Sequence, residues 1–291
     1  MIEQYVQTLT GRLSDGGGFV NKAGGTPRAD ATCWAILALH CAGEQEALVQ
    51  SARRHLASIQ STDGRVCLTP QHPETCWPTS LAVLAWQGAP EQREAQAKAV
   101  RFLLERSEVL TPKARKDIVG YDTTLKGWPW TVKTFSWVEP TALAMLALRA
   151  AGSNEHPRGQ DAVPLLMDRQ LPDGGWNIGS PMVFGHVLRA MPENTGMALQ
   201  ALCGLVPRKH VEKSIRYLTS CVGRLHTPFT LGWSLLGLSA WEEGIAGRHE
   251  MIMNVLQRQE DCGPFDTTAL SVLLVAYSCQ RGLIDFFGAD R

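Results

Sequence analysis

A unit of two helices joined by a glycine turn, repeated along the chain, limits what this sequence can fold into. Its clearest copy runs from Val163 to Leu205, VPLLMDRQLPDGGWNIGSPMVFGHVLRAMPENTGMALQALCGL. A helix-periodic segment runs into Gln170, an Asp-Gly-Gly turn follows, and Trp176 comes next. Gly174 and Gly175 supply the positive-φ backbone that such a turn demands. After a loop, Pro192 opens a second helix built almost wholly from small and aliphatic residues.

Weaker copies fill the rest of the chain, and self-similarity at this period signals a repeat architecture. The first pairs a segment from Ile2 with ADATCWAILALHCAG, which ends at Gly43. The second carries Gln60 and Asp63-Gly64, then an apolar helix from Pro78. The third has an outer helix near Glu91 to Arg106, a long loop, and a helix from Glu139. The fifth pairs VEKSIRYLTSCVG with a helix beginning at Thr227, and the sixth ends in a helix beginning at Asp266. Pro78, Pro140, Pro192, Pro228 and Pro264 lie at or just before these starts, where a missing N–H costs nothing. Thr227 is the expected N-cap of its helix. Second helices that are apolar all round must be buried. Six pairs with buried inner members therefore predict an all-α, closed double ring, an α/α toroid of six inner and six outer helices spanning 1–291 as one domain. An open solenoid would need polar capping repeats, and neither end shows one clearly.

Composition narrows the function. The chain has 291 residues, 44% of them hydrophobic, enough for one closed array. The 28 basic and 28 acidic side chains cancel, which argues against nucleic acid as a partner. The N-terminal MIEQYVQTLT lacks both a basic region and an apolar run, so no signal peptide is expected. No apolar run approaches the roughly 18 residues of a membrane span. Eight irregularly spaced cysteines, among them Cys33, Cys41, Cys203 and Cys279, read as reduced thiols in a cytoplasmic protein. Cys67, Cys76 and His72 form a weak candidate metal cluster with no second half.

Arg169 to Trp176, RQLPDGGW, resembles the Gln-x-x-x-Gly-x-Trp repeat of squalene–hopene and oxidosqualene cyclases. Gln259 to Phe265 is similar with Phe in place of Trp, and Gln60 to Val66 is a degraded copy. With its small-residue inner helices, the chain resembles the terpenoid cyclase/protein prenyltransferase toroid family over nearly its whole length. The resemblance implies an isoprenoid-handling enzyme with an apolar central cavity, most readily a terpene cyclase. The family's Asp-x-Asp-Asp-Thr-Ala acid motif has partial counterparts at Arg28 to Cys33 and Pro264 to Ala269, which keep only the middle Asp30 and Asp266. His226-Thr227 resembles a prenyltransferase zinc element, but Thr195 stands where a thiolate would be, so neither zinc nor another cofactor is expected.

Acids recur near the inner-helix starts: Asp30, Glu74, Glu139, Glu193 and Asp266. The positive helix end alone favours carboxylates there. A buried one that keeps its proton would serve as an acid catalyst. Asp266 is the first choice, having no cation near it in sequence, then Asp30, which has Arg28 close by, and Glu139. Tyr121, Trp128, Trp130, Phe135 and Trp137 crowd the 20 residues from Gly120 to Glu139. With Trp34 and Trp233 on inner helices, they are the candidate substrate-binding aromatics, whose π faces can stabilise carbocations. Packing as a hydrophobic lid is the plainer role for that loop. Lys126 and Lys133 are weak candidates for holding a diphosphate. The expected partner is an isoprenoid or other apolar small molecule, and a peripheral membrane contact is compatible with it. A non-catalytic lipid- or partner-binding toroid, a prenyltransferase-like subunit and a carbohydrate-active α/α barrel are the alternatives.

Overall fold

The computed structural model describes residues 2–43, 45–106, 119–153 and 155–283. Six outer helices alternate in the chain with six inner ones. The outer set is α1 (Glu3–Thr10), α3 (Glu46–Ser58), α5 (Arg93–Arg101), α7 (Pro157–Asp168), α9 (Glu212–Val222) and α11 (Arg248–Gln257). The inner set is α2 (Ala29–Cys41), α4 (Pro78–Ala85), α6 (Val138–Ala150), α8 (Pro192–Leu202), α10 (Pro228–Ala240) and α12 (Thr267–Ser278). Each inner helix packs on the next, and α12 packs back on α2, so the ring is closed. This is the expected α/α toroid.

Inner helices bury nearly every position, and their apolar residues point in all directions. Outer helices bury one stripe, as in α9 with Ser214, Ile215, Leu218 and Val222. The seam between first and last repeats is polar. Arg12 donates to the Thr267 hydroxyl at 3.1 Å and to the Phe265 carbonyl at 2.6 Å. Thr267 in turn donates to the Val20 carbonyl at 2.6 Å.

A threonine in the first turn of four inner helices explains the repeat chemistry. Thr32, Thr79, Thr141 and Thr195 each accept the backbone N–H of the turn residue before their helix: Phe19, Val66, Trp128 and Trp176, at 2.9 to 3.0 Å. A buried N–H without a partner costs about 1–3 kcal/mol, so each threonine fixes the depth of a buried anchor. Trp128 and Trp176 also donate their indole N–H groups to the carbonyls of Leu103 and Leu166. The glycine before the anchor permits this approach, since a Cβ on Gly127 would sit 2.3 Å from the Thr141 hydroxyl. The repeat glutamine reaches the next outer unit: Gln60 donates to Ala95, and Gln170 to Ser214.

Two sequence expectations need correction. Thr227 occupies the N-cap position of α10, but its side chain makes no cap hydrogen bond. The third outer helix is not continuous from Glu91, because a 3-10 turn (Pro90–Gln92) precedes α5 and a π-turn (Phe102–Arg106) follows it. Pro90 fits the first helical position, where its missing N–H costs nothing.

Candidate active site

The inner helices begin on one rim, and the long loops leading into α6 and α8 meet there. The Val138 N–H donates to the Ile178 carbonyl, and Gly179 lies against Trp137. The strands Met182–Val183 and His186–Val187 pair as a hairpin in the second loop.

Three of the rim acids interact. Glu139, in the first turn of α6, is enclosed by protein on most sides while keeping some solvent contact. Burial pushes its carboxyl up to about 7, and the negative charges of Glu193 and Asp30 push in the same direction. It therefore holds its proton to a higher pH than an ordinary glutamate does. Asp30 is 3% exposed, and both of its oxygens accept from Arg28, at 3.0 and 2.7 Å. Its carboxylate is thereby committed to the guanidinium. Glu193 sits in the first turn of α8, beside α6 in the ring.

Asp266 differs from the sequence reading. Its Oδ1 accepts the Ala269 N–H at 2.8 Å, so it caps α12. It is also not free of cations, because Arg12 and Arg28 both feel its charge. Arg12 comes from the other end of the chain, and only ring closure brings it near. Glu74 is exposed and 3.6 Å from Arg65.

The aromatic candidates divide. Trp130 and Trp137 stack with centroids 5.3 Å apart and are half-buried at the rim. Trp128 is a buried repeat anchor. Tyr121 lies under the Arg169 guanidinium at 3.5 Å, and Phe135 projects outward. Trp34 on α2 and Trp233 on α10 meet edge to face at 5.5 Å, both almost fully buried. Those two helices are not neighbours in the ring, so the pair meets inside it.

Sequence reasoning missed Arg12 and Tyr217. The Tyr217 hydroxyl donates to the Ala190 carbonyl at 3.0 Å, holding the approach to α8, and burial lifts its pKa to about 12. No local pattern marked either residue, since each reaches the rim from an outer unit.

Among the described residues, no group of three His, Cys, Asp or Glu side chains is arranged to hold a metal. Thr195 is committed to Trp176, and His226 is exposed. The Cys67 thiol donates to the Pro73 carbonyl and the Cys76 thiol to that of Pro129, while His72 bonds Thr69. Burial raises the Cys76 thiol to about 12.

No protein-family model matches this chain, and no curated protein matches it. Solved structures do. An α-amylase from Clostridium perfringens is 8% identical with a TM-score of 0.62, covering 96% of this chain and 97% of its own. The type II terpene cyclase MstE from Scytonema, in complex with geranylgeranyl dihydroxybenzoate, is 13% identical with a TM-score of 0.58, covering 98% and 97%. A family 76 glycoside hydrolase (mannosidase) from Bacteroides thetaiotaomicron is 11% identical with a TM-score of 0.56, covering 95% and 96%. The likeness is one of fold. It covers nearly the full length of both partners, so this chain spans about one such ring. Fold alone does not choose between these chemistries.

Proposed function

We propose that this chain is a proton-initiated cyclase of an oxygenated isoprenoid, with Glu139 as the proton donor. The observation that carries the reading is the Glu139 carboxyl near 7 on a rim shared with Trp130 and Trp137. Such an acid is available at neutral pH but weak, and an epoxide oxygen is a far better base than a bare alkene. An epoxide-capped prenyl chain is thus the substrate it suits. Glu139 gives its proton to the oxygen as the C–O bond breaks, and the next double bond attacks the developing cation. The faces of Trp130 and Trp137 stabilise that charge, and Glu193 takes the final proton. The product is a cyclic alcohol of unchanged mass.

Incubating the protein with epoxide-terminated farnesyl and geranylgeranyl chains, alongside squalene and the linear diphosphates, tests this. Cyclic product of equal mass is expected from the epoxides, falling 100-fold or more in Glu139→Gln, a loss typical of a missing general acid. A Glu139→Gln protein that cyclises at the wild-type rate would overturn the assignment. Binding without turnover would favour the non-catalytic lipid-binding toroid.

Clustered carboxylates with one raised pKa also suit glycoside hydrolysis, where Glu139 would be the acid and Glu193 its partner. Release of reducing sugar from mannan or starch oligosaccharides, abolished in Glu139→Gln, would favour that reading.

The loop into α8 supports an apolar partner. Phe184 is 95% exposed at the hairpin tip and holds φ +49, a costly conformation for a bulky side chain. Ile178, Val183, Val187 and Leu188 of the same loop are exposed as well, as is Phe135 in the loop that meets it. Residues 177–191 and 123–138 contain no acid, but carry Lys126, Lys133, His186 and Arg189. An apolar tip on loops that carry basic residues and no acid fits an anionic lipid surface. Sedimentation with vesicles containing phosphatidylserine should drop several-fold in Phe184→Ser and in high salt. Equal sedimentation of that variant would reject the contact.

A further inference from the structure

We propose that Cys41 and Cys279 form a reversible disulfide that clasps the ring shut. Cys41 is the last residue of α2, and Cys279 directly follows α12. These are the first and last inner helices, packed together where the ring closes. Both residues are thiols in this structure, with sulfur atoms 2.8 Å apart. That is far closer than two non-bonded sulfurs rest, and a small movement reaches the bond length of about 2.05 Å. The Arg248 guanidinium donates to the Cys279 carbonyl at 2.8 Å and also to that of Ala276, holding the backbone on that side. Cys41 also lines a cavity of about 290 Å³ with Ile2, Val6, Gln7, Leu274 and Tyr277. Cys41 is also partly exposed, so an oxidant can reach its sulfur from solvent, whereas Cys33 is buried. None of this involves the rim, so the inference is independent of the proposed cyclisation.

Oxidised glutathione balances the reaction. The Cys41 thiolate attacks one glutathione sulfur, forms a mixed disulfide and releases one glutathione thiolate. The Cys279 thiolate then attacks the Cys41 sulfur and releases the second. Two thiols lose two protons and two electrons, and one glutathione disulfide becomes two thiols. The new bond joins residues 238 positions apart in the chain. Tethering so long a segment restricts the unfolded chain strongly.

The test is a thiol titration in denaturant after equilibration with oxidised glutathione, with the thermal midpoint measured on the same samples. The expected result is a fall from 8 thiols to 6 and a mass loss of two hydrogens. The midpoint should rise by roughly 5 °C or more and return on reduction. Cys41→Ser and Cys279→Ser should each abolish the two-hydrogen mass loss and the rise in midpoint, Cys279→Ser instead keeping glutathione on Cys41, while Cys262→Ser at an exposed position should keep both. Eight titratable thiols after oxidation, or an unchanged cross-link in Cys279→Ser, would overturn the proposal. A midpoint that does not rise despite the cross-link would overturn its role as a clasp.

Discussion

Replacing Gly196 by alanine is expected to cost the fold roughly 3 kcal/mol or more, against the usual sign of that exchange in a helix. Alanine normally gains about 1 kcal/mol over glycine in a helix interior. Here a Cβ on Gly196 would stand 2.1 Å from the Trp233 carbonyl oxygen, and a Cβ on Gly237 would stand 2.5 Å from the Gly196 Cα. Both obstacles are backbone, so relief requires α8 and α10 to separate. Separation would loosen Trp233 from Trp34, a pair that meets inside the ring. Overpacking a core costs about 1–3 kcal/mol even where side chains can yield, and here they cannot. Gly244→Ala is the control, because its Cβ would meet nothing within 4 Å. Urea midpoints should fall sharply for the first variant and hold for the second. A Gly196→Ala protein as stable as wild type would mean that the two inner helices stand farther apart than this packing requires.

The same glycines show why the fold was legible in the sequence. An inner helix has no solvent side, so its residues must be small or aliphatic all round, and that pattern survives without knowing its neighbours. The turn is equally local: Gly174, Gly175 and Trp176 declare a tight corner and a buried anchor. Less legible was the threonine that receives the anchor's N–H. In three repeats it lies 13 residues downstream of the anchor, but from Trp176 to Thr195 the interval is 19, because the hairpin loop intervenes. The α10 cap misled because a threonine before a proline has the right chemistry, yet Thr227 does not turn its hydroxyl to the helix.

The rim chemistry was only half legible. Glu139 could be found as an acid at a helix start, but nothing near it in sequence ranks it above Asp266. In the proposed reading it is singled out by ring closure, which brings Glu193 and Asp30 towards Glu139. Arg28, beside Asp30 in sequence, was the one modulating charge visible in advance, and it does pair with Asp30. Charges that set a proton affinity through space come from other repeats, and a repeat pattern does not encode which ones face each other.

Stability should therefore fall as pH rises from about 4.5 to about 7, and Glu139→Gln should remove that fall. The Glu139 carboxyl lies at about 7 in the folded protein, against an ordinary value of 4.5. Below about 4.5 folded and unfolded chains are both protonated there, and the group costs nothing. Between 4.5 and about 7 the unfolded chain releases its proton while the folded one holds it, so stability declines with pH. Above about 7 the whole cost is present, up to about 3 kcal/mol at roughly 1.4 kcal/mol per pH unit. Glutamine has the same shape and no charge, so the variant should gain on wild type by that amount between pH 4.5 and 8.5. The comparison is a difference of differences in urea unfolding, so any pH-independent effect of the amide cancels. Removing either neighbouring charge, in Glu193→Gln or Asp30→Asn, should shrink the gain from Glu139→Gln, because less repulsion is then left to relieve. If the gap between wild type and Glu139→Gln is the same at both pH values, the carboxyl titrates near its ordinary value. Glu139 would then lose its claim to be the acid of this rim, and the proposed cyclisation would lose its proton donor with it.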